Sequence, residues 1–115
     1  VNIINAGNDC FDVSGGKYEL HNANLDNCMD KALSVGEKST LRADYLYVKN
    51  TNIAISAKDL SKVSISTLDA KNINLCAEVK RKKQEFGGAR LEINNQKCPS
   101  TIDVDDESTF YKNNI

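Results

Sequence analysis

Apolar residues stand two apart in this chain, and the same pairs return at nearly constant intervals. Val1, Ala23, Leu46, Leu68 and Leu91 make one column, and Ile3, Leu25, Val48, Ala70 and Ile93 the next. Each pair is followed by an asparagine, Asn5, Asn27, Asn50, Asn72 and Asn95, at intervals of 22, 23, 22 and 23 residues. A spacing of two marks the buried face of a strand, and its return at a period near 22 makes each strand one rung of a coil. Four further columns keep the same beat. Phe11, Leu33, Ile55 and Ala77 precede Val13, Val35, Ala57 and Val79, while Tyr18, Leu41, Val63 and Phe86 precede Leu20, Ala43, Ile65 and Gly88. The pattern predicts an all-β solenoid of about four to five coils with three parallel sheets. The first sheet is expected from residues 1–4, 23–26, 46–49, 68–71 and 91–94, and the second from 9–13, 31–35, 53–57 and 75–79. The third is expected from 17–20, 40–43, 62–65 and 85–88. Helices would need apolar spacings of three and four, and the columns instead carry β-branched and aromatic residues suited to strands.

The asparagine column has a mechanical reason. A sharp corner between strands needs a residue that tolerates the left-handed region, which Asn does better than other non-glycine residues. Rungs stacked about 4.8 Å apart let one side-chain carbonyl meet the NH2 of the next, so a ladder of amides is expected through Asn5, Asn27, Asn50, Asn72 and Asn95. This pattern resembles the asparagine ladder of right-handed parallel β-helices, the fold family of pectate lyases and related carbohydrate-active proteins. The resemblance covers residues 1 to about 95 and implies a right-handed coil, a polysaccharide ligand and an extracellular or cell-surface setting. That superfamily holds lyases, hydrolases, epimerases, phage tailspikes and non-catalytic surface proteins, so the likeness speaks for fold and not for activity.

Residues 1–95 are therefore expected to form the coils and 96–115 a C-terminal cap, since Pro99 breaks the ladder. In that cap Ile102, Val104, Phe110 and Tyr111 would cover the last rung while Asp103, Asp105, Asp106 and Glu107 stay in water. Val1 and Ile3 already belong to the apolar columns, so the N-terminal end is expected to continue into further coils or to pack on another chain. Free thiols are the expectation for the four cysteines. Cys10 aligns with Ala32, Ala54 and Cys76 in an outward column, three rungs or roughly 14 Å from Cys76, beyond disulfide reach. Cys28 follows Asn27 at a corner with no thiol beside it, and only Cys76 and Cys98 are near enough to pair, given a one-residue slip at Pro99.

Composition excludes more than it suggests. Fifteen Lys and Arg against 16 Asp and Glu leave a formal charge of −1, which gives no global reason for nucleic acid as a partner, and the apolar runs are too short to span a membrane. Metal-ligand spacing such as C-x-x-C is absent and His21 stands alone, so no metal or cofactor is implied.

Candidate chemistry lies on the outward columns of the third sheet, where enzymes resembling this fold place their cleft. One column reads Glu19, Arg42, Ser64 and Gly87, and the next His21, Asp44, Ser66 and Ala89. A nucleophilic triad needs His between Ser and Asp, whereas this stacking puts Asp44 in the middle. Glu19 with Asp44 is better spaced for a carboxylate pair, although Arg42 and Lys17 on the same face fit a plain solvated surface. The stretch Gly7-Asn8-Asp9-Cys10-Phe11-Asp12 resembles the Asp-rich strand of polygalacturonases, but that motif's paired aspartates appear here as Asn8 and Asp9 and its His and Arg-Lys signatures are missing. Asp9 and Asp30, one rung apart, either finish turns or contribute to a calcium site. Tyr45 and Tyr47 lie near Asn22, Asn24, Thr67, Asp69, Arg90 and Glu92, a flat polar face with rings able to stack on sugar. Lys80-Arg81-Lys82-Lys83 forms a basic turn. The expected ligand face thus comprises Tyr45, Tyr47, Arg42, Asp44, Glu19 and His21. The expected function is a non-catalytic structural or carbohydrate-recognition module, the C-terminal part of a larger β-helical surface or secreted protein. The rival is a fragment of a polysaccharide lyase, hydrolase or epimerase with its catalytic coils upstream.

Overall fold

Among the described residues seven strands pair in parallel, each after the first lying beside an earlier stretch of chain, and the result is a β-solenoid of about five turns with coils of about 22 residues. A computed structural model describes residues 1–112. The strands are β1 (Asn2–Ile4), β2 (Phe11–Asp26), β3 (Lys31–Lys58), β4 (Lys62–Lys80), β5 (Arg90–Lys97), β6 (Thr101–Val104) and β7 (Thr109–Lys112). The long strands bend at corners, so each crosses more than one sheet. Register follows the columns for three and a half turns: Ile3 pairs with Leu25, Leu25 with Val48 and Val48 with Ala70. Phe11 pairs with Leu33, and Tyr18 with Leu41 and then Val63. The core is the stack of these side chains, with Leu25, Leu33, Leu41, Leu46, Ile55 and Leu68 fully buried. Cutting one of them back to Ala costs about 2–5 kcal/mol, because a stack clamped from above and below cannot collapse into the gap.

Two kinds of corner use left-handed backbone. At the first, Asn5, Asn27, Asn50 and Asn72 all have positive φ, between 54° and 61°. Asn27 Nδ2 donates to Asn5 Oδ1 at 2.7 Å and Asn72 Nδ2 to Asn50 Oδ1 at 2.7 Å, while Asn50 Nδ2 turns to Asp26 Oδ1 at 3.0 Å. A parallel pair runs beside it, Asn74 Nδ2 to Asn52 Oδ1. At the second corner a two-residue turn repeats as Gly15-Gly16, Glu37-Lys38 and Asp59-Leu60, all with positive φ.

In the fourth turn the register changes. Val63 pairs with Leu91 and Ile65 with Ile93, an offset of 28 residues in place of 22. The strand expected at 85–88 is absent. Residues 81–89 form a loop that takes the place of a fourth two-residue corner, so Leu91 and Ile93 join the third sheet and not the first. Asn95 accordingly stands beside Thr67 and not above Asn72, and the amide column ends at Asn72. The loop is fastened from below: Asp59, almost fully buried, accepts the N–H groups of Lys82 and Lys83 at 2.7 and 2.9 Å through one carboxylate oxygen. Lys83 pairs with Glu37, and Lys38 lies over the Phe86 ring.

Beyond residue 96 the chain contributes two further rungs. β6 pairs with β4 and β7 with β5, both parallel. Ile102 and Phe110 pack on the core, whereas Val104 and Tyr111 remain exposed. Gly88 makes the last of these pairings possible, since a Cβ there would lie 1.7 Å from the Glu107 carbonyl oxygen.

Both pairs of cysteines are joined, which corrects the free-thiol expectation. Cys10–Cys28 has Cα atoms 5.4 Å apart and Cys76–Cys98 6.2 Å. The Cys10 bond escaped the column argument because the corners are unequal. Five residues separate Asn5 from Cys10 and Asn27 from Ala32, but only four separate Asn50 from Ala54 and Asn72 from Cys76. The extra residue leaves 27–30 outside strand conformation and brings Cys28 to Cys10. The column Ala32, Ala54 and Cys76, expected to face outward, is fully buried.

Candidate functional site

The third sheet carries a cleft, with a composition that the register shift rewrites. Arg42 pairs with Ser64, and Ser64 with Glu92 in place of Gly87. One cavity of about 240 Å³ is lined by Arg42, Ser64, Ile65, Ser66, Glu92 and Asn94. A second of about 340 Å³ shares Arg42, Ser64 and Glu92 and extends past Thr40, Lys62 and Arg90. Lys62 and Arg90 are neighbours across rungs, and the Arg90 guanidinium lies 4.5 Å from the centre of the Tyr111 ring. The regular 22–23-residue period places Arg90 and Glu92 beside the tyrosines and Gly87 and Ala89 in the cleft columns; the register instead brings Arg90 to Lys62 and Glu92 to Ser64, and sets Asn95 and Lys97 beside Thr67 and Asp69. The only sequence signal was the run of charge and glycine through 80–88, where a coil could lengthen.

His21 Nδ1 and Asp44 Oδ2 are 3.1 Å apart, with the His21 side chain 83% exposed. Asp44 occupies the middle of its column, so no imidazole stands between it and Ser66, and a nucleophilic relay is not assembled. Glu19 is adjacent to Arg42 in register and exposed. Asp9 and Asp30 do not converge on a shared ion position. Asp9 Oδ1 accepts the Lys31 N–H at 3.2 Å, and Asp30 pairs with the Lys31 ammonium at 2.6 Å. The described residues hold no group of three His, Cys, Asp or Glu side chains placed to bind a metal ion.

Past the bend at Asp44, the outward side chains of the same rung are Tyr45 and Tyr47. Their ring centroids are 5.9 Å apart and the planes differ by 6°. Tyr45 is flanked by Asn22 and Thr67, Tyr47 by Asn24 and Asp69. Both rings are exposed. A hollow beside them is lined by Tyr47, Lys49, Asp69 and Lys71. Of the residues expected on the ligand face, Arg42 thus enters the cleft, Tyr45 and Tyr47 form the aromatic pair, and His21 with Asp44 forms a hydrogen-bonded pair at the edge. Glu19 lies beside Arg42 on the rung before.

The second sheet carries buried polar groups that the sequence did not flag. Ser34, Ser56 and Glu78 follow one another up an outward column and are all buried. Ser56 donates to Glu78 Oε2 at 2.6 Å, and Lys80 pairs with Glu78 Oε1 at 3.2 Å. The hydrogen bond between Lys31 and Asp30 holds the Asp30 carboxyl below its ordinary range and raises Lys31. Lys58 is shifted the opposite way, lowered first by burial and then by repulsion from Lys82 and Lys31. No family model, no curated protein and no solved structure matches this chain.

Proposed function

We propose that this chain is a non-catalytic carbohydrate-recognition module, part of a larger right-handed β-helical protein of the pectate-lyase-like kind that works at the cell surface or outside the cell. The Tyr45–Tyr47 pair carries the reading. Two nearly parallel rings two residues apart on one strand offer apolar faces at the spacing of strand side chains, bordered by amides, hydroxyls and a carboxylate that can hydrogen-bond sugar hydroxyls. Strand pairing on both sides fixes their backbone, so ordering this surface around a ligand costs little entropy. The cleft of Arg42, Ser64 and Glu92 sits on the same rungs, one bend away, and lengthens the face into a strip fit for a polymer. Two disulfides accord with an oxidising compartment, and the amide stacking at Asn27–Asn5 and Asn72–Asn50 with the parallel coil supports the family likeness.

Affinity electrophoresis through gels containing neutral or acidic polysaccharides tests this. Retardation of the native protein by at least one glycan, lost in the Tyr45→Ala/Tyr47→Ala variant with an unchanged circular dichroism spectrum, is the expected result. Undiminished retardation of the variant, or none for the native protein with any glycan, overturns it.

A further inference from the structure

The outer face of the second sheet includes small residues that are nevertheless buried. Ser34 and Gly36 lie two apart on one rung, Asp12 is the register neighbour of Ser34 on the rung before, and Gly36 abuts Lys58 on the rung after. Leu33 and Val35 between them point into the core, so Ser34 and Gly36 face outward. Ser34 is nevertheless only 1% exposed, and its Oγ has no hydrogen-bond partner. A buried hydroxyl left unpaired forfeits the bonds it had in water, and native structures rarely keep one without a use. Two residues along, over Gly36, lies Lys58. The Lys58 stem rests on the Gly36 floor, its Cε 3.9 Å from where a Cβ would be, and its half-buried ammonium forms no ion pair among the described residues. Asp12, which attracts Lys58 without touching it, is exposed across the same floor.

We propose that Asp12, Ser34, Gly36 and Lys58 form a binding site for a neutral, hydroxyl-rich ligand, a sugar residue, separate from the Tyr45–Tyr47 face. Local charge selects the class. Lys31 with Asp30 and Lys80 with Glu78 pair off, which leaves the Asp12 and Asp9 carboxylates and the Lys58 ammonium around the hydroxyl. An anion meets Asp12 and Asp9, and a cation meets Lys58 and Lys31. A vicinal diol is served by both, donating to the Asp12 carboxylate and accepting from Lys58 and Ser34. Because Gly36 has no side chain, the Lys58 stem is the group over the floor that such a ring must displace.

The test is an amide-resolved NMR titration of the full chain with hexasaccharides of glucose, mannose and N-acetylglucosamine, and separately with inorganic phosphate and calcium. Saturable shifts at Ser34, Gly36 and Lys58 with at least one saccharide are expected. They should disappear in Ser34→Ala and again in Lys58→Met, each with a melting temperature no lower than the native protein's, because neither change breaks an internal bond. The proposal is overturned if these amides stay still with all three saccharides, respond only to phosphate or calcium, or shift equally in both variants. Shifts confined to Tyr45 and Tyr47 overturn it while leaving the aromatic face intact, and shifts confined to Ser34 and Gly36 do the reverse.

Discussion

Removing the Cys76–Cys98 bond isolates the term that holds the last turns in place. In a solenoid a middle rung has neighbours above and below, whereas a terminal rung has one. Among the described residues Cys76–Cys98 lies beside the last rungs, where that deficit falls. Cys76–Cys98 closes a span of 22 residues, and the chain-entropy relation gives about 3.4 kcal/mol for a loop of that length. Cys10–Cys28, at a separation of 18, gives about 3.2 kcal/mol. Either is a large share of the roughly 5–15 kcal/mol that holds a domain folded. The informative variant is Cys76→Ala/Cys98→Ala, since Cys76 is fully buried and a serine there would add a desolvation cost of its own. Urea unfolding followed by circular dichroism should show a loss of about 3 kcal/mol. Hydrogen exchange should show where it falls: amides of Ile102 and Val104 in β6 lose protection, while those of Leu46 and Leu68 in the middle rungs keep it. A loss under about 1 kcal/mol, or an even loss of protection along the whole coil, would refute the view that the bond serves as an end staple.

Asn72→Ala should cost about 2 kcal/mol, from left-handed backbone without its preferred residue and from the lost bond to Asn50, while Asn95→Ala stays within about 0.5 kcal/mol; paired thermal melts check the contrast. Lys58→Met should raise the urea midpoint at pH 7. The folded pKa of Lys58 lies below its ordinary 10.5, so its charge penalises the fold at every pH below the folded value. The variant's advantage should therefore shrink as pH rises from that value towards 10.5, and a constant difference across this range would contradict the assignment. Gly88→Ala should drive the 107–108 backbone away, seen as lost protection at Phe110 and Tyr111 with the earlier rungs unchanged.

How far the fold could be read from the sequence follows from where the period is kept. Through Lys80 each corner is short and nearly uniform, so apolar spacing fixed both which residues face inward and which lie beside one another, and Ile3, Leu25, Val48 and Ala70 stack as expected. Periodicity holds no information about an inserted loop once the pattern can be continued past it. Phe86 and Gly88 happened to fit an apolar column, and Leu91 and Ile93 fit the first sheet by offset as well as they fit the third. Strand pairing decides for the third because Asp59 anchors the insertion and Gly88 admits the backbone of Glu107. The same assumption of equal corners hid the Cys10–Cys28 bond, which depends on one extra residue after Asn27.

Sites followed a similar division. Tyr45 and Tyr47 were legible because alternation alone places aromatic residues outward on adjacent positions of one strand face. The Ser34–Lys58 floor was not, because its members look unremarkable singly: a serine, a glycine and a lysine on a polar column read as a wetted surface. What distinguishes them is burial without partners, a property of three rungs together. Ser34 is buried although it faces outward, beside a Gly36 on which the Lys58 stem rests, and the carboxylates of Asp30 and Glu78 are paired with Lys31 and Lys80. Exchanging the order of charges along one rung would dissolve both conditions without disturbing the apolar columns. The fold tolerates many outer faces, and this one leaves the Ser34 hydroxyl unpaired where the coil itself has no need of it.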